Sequence, residues 1–250
     1  MSMIESKQNK QVKEWKKLHR KKYRDQSGLF LIEGWHLIHE VSKSEWIIDT
    51  LILNENETLP ENLESYPVER VSEQVFKDLS QTESPQGVMA VVKQKNDFEL
   101  SHLKKVLLID AVQDPGNVGT MIRSALAFHV DLVVIGSGSV DLFNDKVIRS
   151  TQGALFHLPV VRGVLTDWID DLKQQSIPVY GTALDRNAMP LREVQSSEYA
   201  LVVGNEGQGV SEDILSVVDE KLYIPIHSKS ESLNVGVATS IALYHLQDLT

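Results

Sequence analysis

The chain has 250 residues, no cysteine, 42% apolar and 24% charged residues, and a formal net charge of −10. That length holds one large or two modest domains with a real core, and the missing cysteines exclude disulfides and thiolate metal sites. No apolar run reaches the roughly 20 residues that a membrane-spanning helix needs, and the lysine-rich start has no apolar signal core, so a soluble cytoplasmic protein is expected.

An acidic sum argues against a nucleic-acid partner, because phosphate contacts need Lys and Arg. Its distribution argues the other way. Lys7, Lys10, Lys13, Lys16, Lys17, Arg20, Lys21, Lys22 and Arg24 against Glu5, Glu14 and Asp25 give residues 1–25 a local charge of +6, leaving −16 on the rest. Such segregation predicts a basic arm or face on an acidic body.

Residues 10–23 (KQVKEWKKLHRKKY) predict one basic amphipathic helix, docked through Val12, Trp15 and Leu18 with Lys22 near the same face. Residues 30–33 (FLIE) predict a strand, Gly34 opens a helix through Ile38 and Val41, and residues 46–53 (WIIDTLIL) predict a second strand. A loop over 60–67, a short helix over 73–79 and a buried strand over 87–92 complete a small α/β unit. His36 and His39 have a spacing compatible with two metal ligands, yet no third ligand accompanies them, and no metal is expected. The polar, aperiodic residues 93–101 form the linker, with the domain boundary over 96–101.

The second half is more regular. Strands are predicted over 106–110 (VLLID), 131–136, 179–182, 200–204 (ALVVG) and 222–225, and helices over 120–128, 146–156 with an interruption at Gly153, 166–175, from Glu212 and from Asn234. Strands alternating with crossover helices imply a mostly parallel sheet, whose ligands sit at the carboxyl ends of its strands.

Three of those ends carry unusual loops. In DPGNVG (114–119), Pro115 and Gly116 set a tight turn, Asn117 is placed to cap, and Arg123 follows one turn into the helix. In GNEGQG (204–209), three glycines surround Glu206, and in ESLN (231–234), Asn234 caps the last helix. Other chemistries fit poorly. GSGSVD (136–141) has Asp where a dinucleotide fingerprint needs its third glycine, and there is no P-loop, HExxH or GxSxG.

Together, DPGNVGTMIRSALA, ALVVGNEGQGVS and IPIHSKSESLNVGVATSIALY resemble the three ordered motifs of the SpoU-type RNA 2′-O-ribose methyltransferases of the SPOUT superfamily. SKQNKQVKEWKKLHRKKYRDQSGLFLIEG and TESPQGVMAVV are similar to the RNA-binding amino-terminal domain of many members, so the resemblance covers nearly the whole chain. It departs at His129, where glycine is common, and at residues 227–230 (HSKS), which lack the glycine usually found before ESLN.

The resemblance implies an α/β fold in which residues 102–250 form a mostly parallel, trefoil-knotted methyltransferase domain and residues 1–95 a small α/β RNA-binding domain. It implies a homodimer that methylates a ribose in rRNA or tRNA with S-adenosylmethionine. Asn117, Arg123, Glu206, Ser232 and Asn234 match positions with functional roles in the family and are the expected catalytic set. Gly204, Asn205, Gly207, Ile224, Ser232, Leu233 and Asn234 are the expected cofactor contacts, and Lys10, Lys13, Lys17, Arg20, Lys21, Lys22 and Arg24 the expected RNA contacts. The alternative is a catalytically inactive RNA-binding protein of the same fold. A nicotinamide-dependent oxidoreductase fails on its glycine fingerprint.

Overall fold

A computed structural model describes residues 3–185 and 187–247. Along residues 1–97 run α1 (Lys10–Lys17), α2 (Lys21–Ser27), β1 (Leu29–Glu33), α3 (Trp35–Ser42), β2 (Ile48–Asn54), β3 (Val68–Val71), α4 (Glu73–Leu79) and β4 (Val88–Lys93). Then follow β5 (Lys105–Ile109), α5 (Pro115–Ala127), β6 (Leu132–Ile135), α6 (Asp145–Thr151), β7 (Val160–Arg162), α7 (Leu165–Gln174), β8 (Val179–Thr182) and β9 (Met189–Pro190). Last come β10 (Tyr199–Val203), α8 (Glu212–Leu215), β11 (Glu220–Tyr223) and α9 (Val235–Leu246). Packing divides the chain into two units, Met1–Asp97 with Phe143–Phe156, and Phe98–Leu142 with His157–Thr250.

In the first unit the basic stretch forms two helices, where one was expected. Asn9 caps α1 by accepting from the Gln11 N–H at 2.8 Å, and extended backbone at Arg20 (φ −104°, ψ 129°) separates it from α2. This break changes which residues face inward. Val12, Trp15 and Leu18 bury against Val75, Phe76 and Leu79 of α4 and against the sheet, as their spacing requires. Lys22, expected near that face, is exposed, and Arg24 is buried instead at 5% exposure, its guanidinium donating to the Leu18 carbonyl at 2.7 Å. Arg24 is thereby removed from the set of cations that can face RNA.

The sheet of this unit has the order β1-β4-β2-β3, antiparallel except for the parallel β2–β3 pair. Residues 143–156, which come from the second half of the chain, complete its core. Phe143 packs 4.7 Å from the Phe30 ring, and Trp46 meets the Phe156 ring edge-on at 5.5 Å. His36 bonds the Gln152 carbonyl at 3.1 Å, and the His39 ring stacks on Trp35.

The second unit is a seven-stranded, wholly parallel sheet of order β7-β6-β5-β10-β8-β11-β9. Its central strands β5 and β10 are buried at every residue, which is why they read as unbroken apolar runs. Each fully buried Val, Leu or Ile there contributes about 1.5–3 kcal/mol, so β5 and β10 fix the frame on which the loops hang. The helix after β5 begins at Pro115, five residues earlier than expected. Pro115 and Gly116 do not form a separate turn, because proline at the first helical position loses no hydrogen bond and its φ already suits a helix.

Candidate active site

The three motif loops leave the carboxyl ends of β5, β10 and β11, and side chains far apart in sequence bind them together. Asp114 caps α5 by accepting from the Asn117 N–H at 2.8 Å, the role expected of Asn117. The Asn117 side chain is thereby free for a tertiary bond. Its amide donates to Glu206 at 3.1 Å, and its oxygen accepts from the Asn234 amide at 2.9 Å. Asn234 also caps α9, as expected, by accepting from the Val237 N–H at 3.2 Å.

Glu206 takes three donors, adding the N–H groups of Gln113 at 3.3 Å and Asp114 at 3.1 Å to the Asn117 amide. Burial pushes its carboxyl up, but the bonds from Asn117 and the backbone outweigh that and hold its pKa below the usual carboxylate value. The Glu206 carboxylate therefore orders the approach to α5.

Asn205 organises its own loop. Its side-chain oxygen accepts from the N–H groups of Gly207 at 2.9 Å and Gln208 at 3.2 Å, while its amide donates to the Ala111 carbonyl at 2.9 Å. The backbones of Asn205 and Gly209 exchange two bonds, each 2.9 Å, with Gly209 at φ 72°. A Cβ on Gly204 would stand 2.1 Å from the Gly209 carbonyl carbon and the Val210 nitrogen, so no other residue fits there. Beneath the loop, the Asp110 carboxylate accepts from the Ser211 N–H at 2.8 Å, tying β5 to the start of α8.

Next to this network lies a pocket of about 850 Å³. Gly204, Asn205, Glu206, Gly207, Ile224, Ser232 and Leu233 line it, with apolar walls from Leu191, Leu201, Val210, Leu222, Ile226 and Ala242. Asn234 and Asn117 do not line it and act through the network beside it. Arg123 does not line the pocket either. Because α5 starts at Pro115, Arg123 lies about 12 Å along the axis from the helix start, exposed in mid-helix and not projecting from its end. No ion pair engages it among the described residues.

The sequence reading missed the Asp114 cap, although Asp-Pro before a helical pattern is a start signal, and it missed Asp110. It also missed the pocket wall formed by Thr182, Leu184, Asp185 and Asn187 after β8, which carries no motif. At the first departure from the family pattern, His129 takes the left-handed conformation that glycine would ease, with φ 57°. The second has no such cost. The turn at 227–230 closes through the Ser230 N–H on the His227 carbonyl at 2.8 Å, with no positive φ.

On α1 and α2, Lys10, Lys13, Lys17, Arg20, Lys21 and Lys22 are exposed. Lys17 pairs with Glu14 at 2.8 Å and Lys21 with Asp25.

The model of the SpoU rRNA Methylase family matches residues 104–244, and that of the MRM3-like substrate binding domain matches residues 9–90. The chain is 47% identical over 249 residues to the 23S rRNA (guanosine(2553)-2′-O)-methyltransferase RlmP of Bacillus subtilis, covering 99% of this chain and 100% of that protein. The crystal structure of an AdoMet-bound rRNA methyltransferase from Sinorhizobium meliloti superposes with a TM-score of 0.86 at 26% identity, over 98% of this chain and 97% of that one. The SpoU methyltransferase AviRb from Streptomyces viridochromogenes, solved with AdoMet, gives 0.84 at 26% identity, over 96% and 97%. The chain thus belongs to the SpoU rRNA methylase family and is an RNA 2′-O-ribose methyltransferase that uses S-adenosylmethionine.

Proposed function

We propose that the chain methylates the ribose of a guanosine in 23S rRNA, at the position equivalent to that named for its Bacillus subtilis relative. The observation that carries this reading is the Glu206–Asn117–Asn234 network, which turns three motifs into one surface beside one pocket. Full-length identity of 47% supports the choice of RNA.

The pocket fits the cofactor. Its volume lies within the range of small-molecule sites, and its lining joins apolar walls to glycine backbone and to polar side chains such as Asp185, Asn187, Asn205 and Ser232. Gly204, Gly207, Ile224 and Leu233 would hold the cofactor, with Ser232 at the edge. When bound, it supplies a methyl group already activated by a sulfonium. The chain must position a ribose hydroxyl and favour loss of its proton, and alignment alone lowers such a barrier by several kcal/mol. Asn117, Glu206 and Asn234 keep the motif loops in one arrangement. Arg123 offers a fork of N–H donors and is assigned no part as a base. It grips a phosphate or stabilises the developing alkoxide, and the proton passes to a phosphate oxygen or water.

Residues 1–95, joined in packing by 143–156, act as the RNA-holding domain and the remainder of 102–250 as the methyltransferase domain, in the cytoplasm. Lys10, Lys13, Arg20 and Lys22 offer charge to the RNA backbone. The working form is a homodimer. Val237, Ile241 and Tyr244 are 49%, 40% and 59% exposed at helical spacing on α9, an apolar stripe that a second copy would cover. In the trefoil knot of this reading, the segment leading to α9 is threaded past the 204–209 loop before α9 packs on α5. That packing is marked by Ser124 and Ser240 hydroxyls at 2.7 Å and by edge-on Phe128 and Tyr244 rings.

Mapping ribose methylation in 23S rRNA from cells with and without the gene tests the substrate. The expected result is loss of methylation at one guanosine, restored by the purified enzyme with S-adenosylmethionine. An unchanged map would refute the choice of RNA.

A further inference from the structure

Helices α1 and α2 hold a feature that phosphate contact alone does not use, an aromatic ring carried on the same two helices as four cations without an ion pair among the described residues. Tyr23 is half-buried on α2, with the Lys17 ammonium 5.7 Å from its ring centroid. Several neighbouring charges are already neutralised within the fold, Lys16 by Asp78 at 2.7 Å, Lys17 by Glu14 at 2.8 Å and Lys21 by Asp25. Lys10, Lys13, Arg20 and Lys22 are exposed and form no ion pair among the described residues. Arg20 and Lys22 precede the ring within one helical turn, and Lys13 shares α1 with Lys17.

A duplex is held by cations along its phosphates, and its stacked bases present no face to a side chain. An unpaired base does present one, and stacking on an aromatic ring tolerates any base. A ring among free cations therefore suits single-stranded RNA. We infer that Tyr23 stacks on an unpaired base of the RNA substrate while Lys13, Arg20 and Lys22 hold the flanking phosphates, so that this unit selects single-stranded over duplex RNA. The inference rests on reading the first unit as the part that holds RNA.

Fluorescence anisotropy on the full-length protein tests it, with a labelled single-stranded oligoribonucleotide and a duplex of the same length, each titrated at several salt concentrations. The expected result is tighter binding of the single strand. Tyr23→Ala weakens that binding about tenfold without altering the slope of log affinity against log salt, and Tyr23→Phe restores it. Lys13→Ala with Lys22→Ala lowers the slope, and thermal melts confirm that each variant is folded. Equal affinity for the two RNAs, or an unaffected Tyr23→Ala variant, overturns the stacking assignment while the lysine effect keeps the RNA-holding reading alive. An unaffected lysine pair overturns both.

Discussion

The motif cluster and the α1–α2 face handle polar groups in opposite ways. In the cluster, Glu206, Asn117, Asn234 and Asn205 spend their hydrogen-bonding capacity on one another and on the backbone, within 2.9–3.3 Å. On the face, four cations are left without a carboxylate partner among the described residues. The first arrangement holds a geometry before any ligand arrives, as alignment chemistry requires. The second stays adaptable and adds charge, as backbone recognition requires. Substitutions in the cluster should therefore cost stability, and substitutions on the face should cost only binding.

The largest expected effect is at Gly204. Gly204→Ala forces a methyl group onto backbone 2.1 Å away, with nothing flexible to yield. We predict a loss of about 3 kcal/mol or more in urea unfolding, against less than about 0.5 kcal/mol for Lys13→Ala. Comparable losses for the two would erase the contrast drawn here.

Arg123 belongs to the second unit but resembles the face, exposed and without an ion pair among the described residues. Arg123→Lys keeps the charge and removes the fork, so kcat/KM should fall at least about tenfold, about 1.4 kcal/mol in the barrier, with unfolding unchanged. Nearly full transfer by this variant would leave the fork with no role.

Acid should separate the two units. Burial lowers the pKa of His19 in the first unit, against the opposing effect of its bond to the Leu79 carbonyl. The unfolded chain then binds more protons just below the ordinary histidine value of 6.5, so the stability from neutral His19 is full above that value and declines beneath it. Glu206 has a lowered pKa, so its contribution is full above 4.5 and is lost as pH falls further through the folded value. Unfolding followed against pH should show a first decline below 6.5 that His19→Gln removes and a later one below 4.5 that Glu206→Gln removes.

The smallest effect is at His129, whose left-handed backbone (φ 57°) strains a residue with a Cβ. His129→Gly should stabilise the protein by up to about 1 kcal/mol, read as a raised melting temperature with methyl transfer unaltered.

The sequence made the central strands plain, because VLLI (106–109) and ALVV (200–203) are buried on both faces and carry no polar side chain. The strands it hid are short or lie at sheet edges. Met189–Pro190 pairs for two residues, Val160–Arg162 for three, and Val68–Val71 pairs with β2 on one side and meets a single bridge at Ile4 on the other. At the site, the glycines and caps were readable because their demands are local. The task of Glu206 was not, since its partners Gln113, Asp114 and Asn117 lie some ninety residues upstream. Arg24 and Lys22 exchanged places because the break at Arg20 resets the helical phase, and nothing in the periodicity marks that break.

The aromatic cluster of Phe30, Trp46, Phe143 and Phe156 has a bearing on synthesis. A chain emerging from the ribosome amino terminus first can begin its first sheet early, yet Phe30 and Trp46 stay uncovered until Phe156 has been translated. The nascent protein thus carries an unfinished apolar surface while about a hundred further residues are made, the interval in which a chaperone would find it.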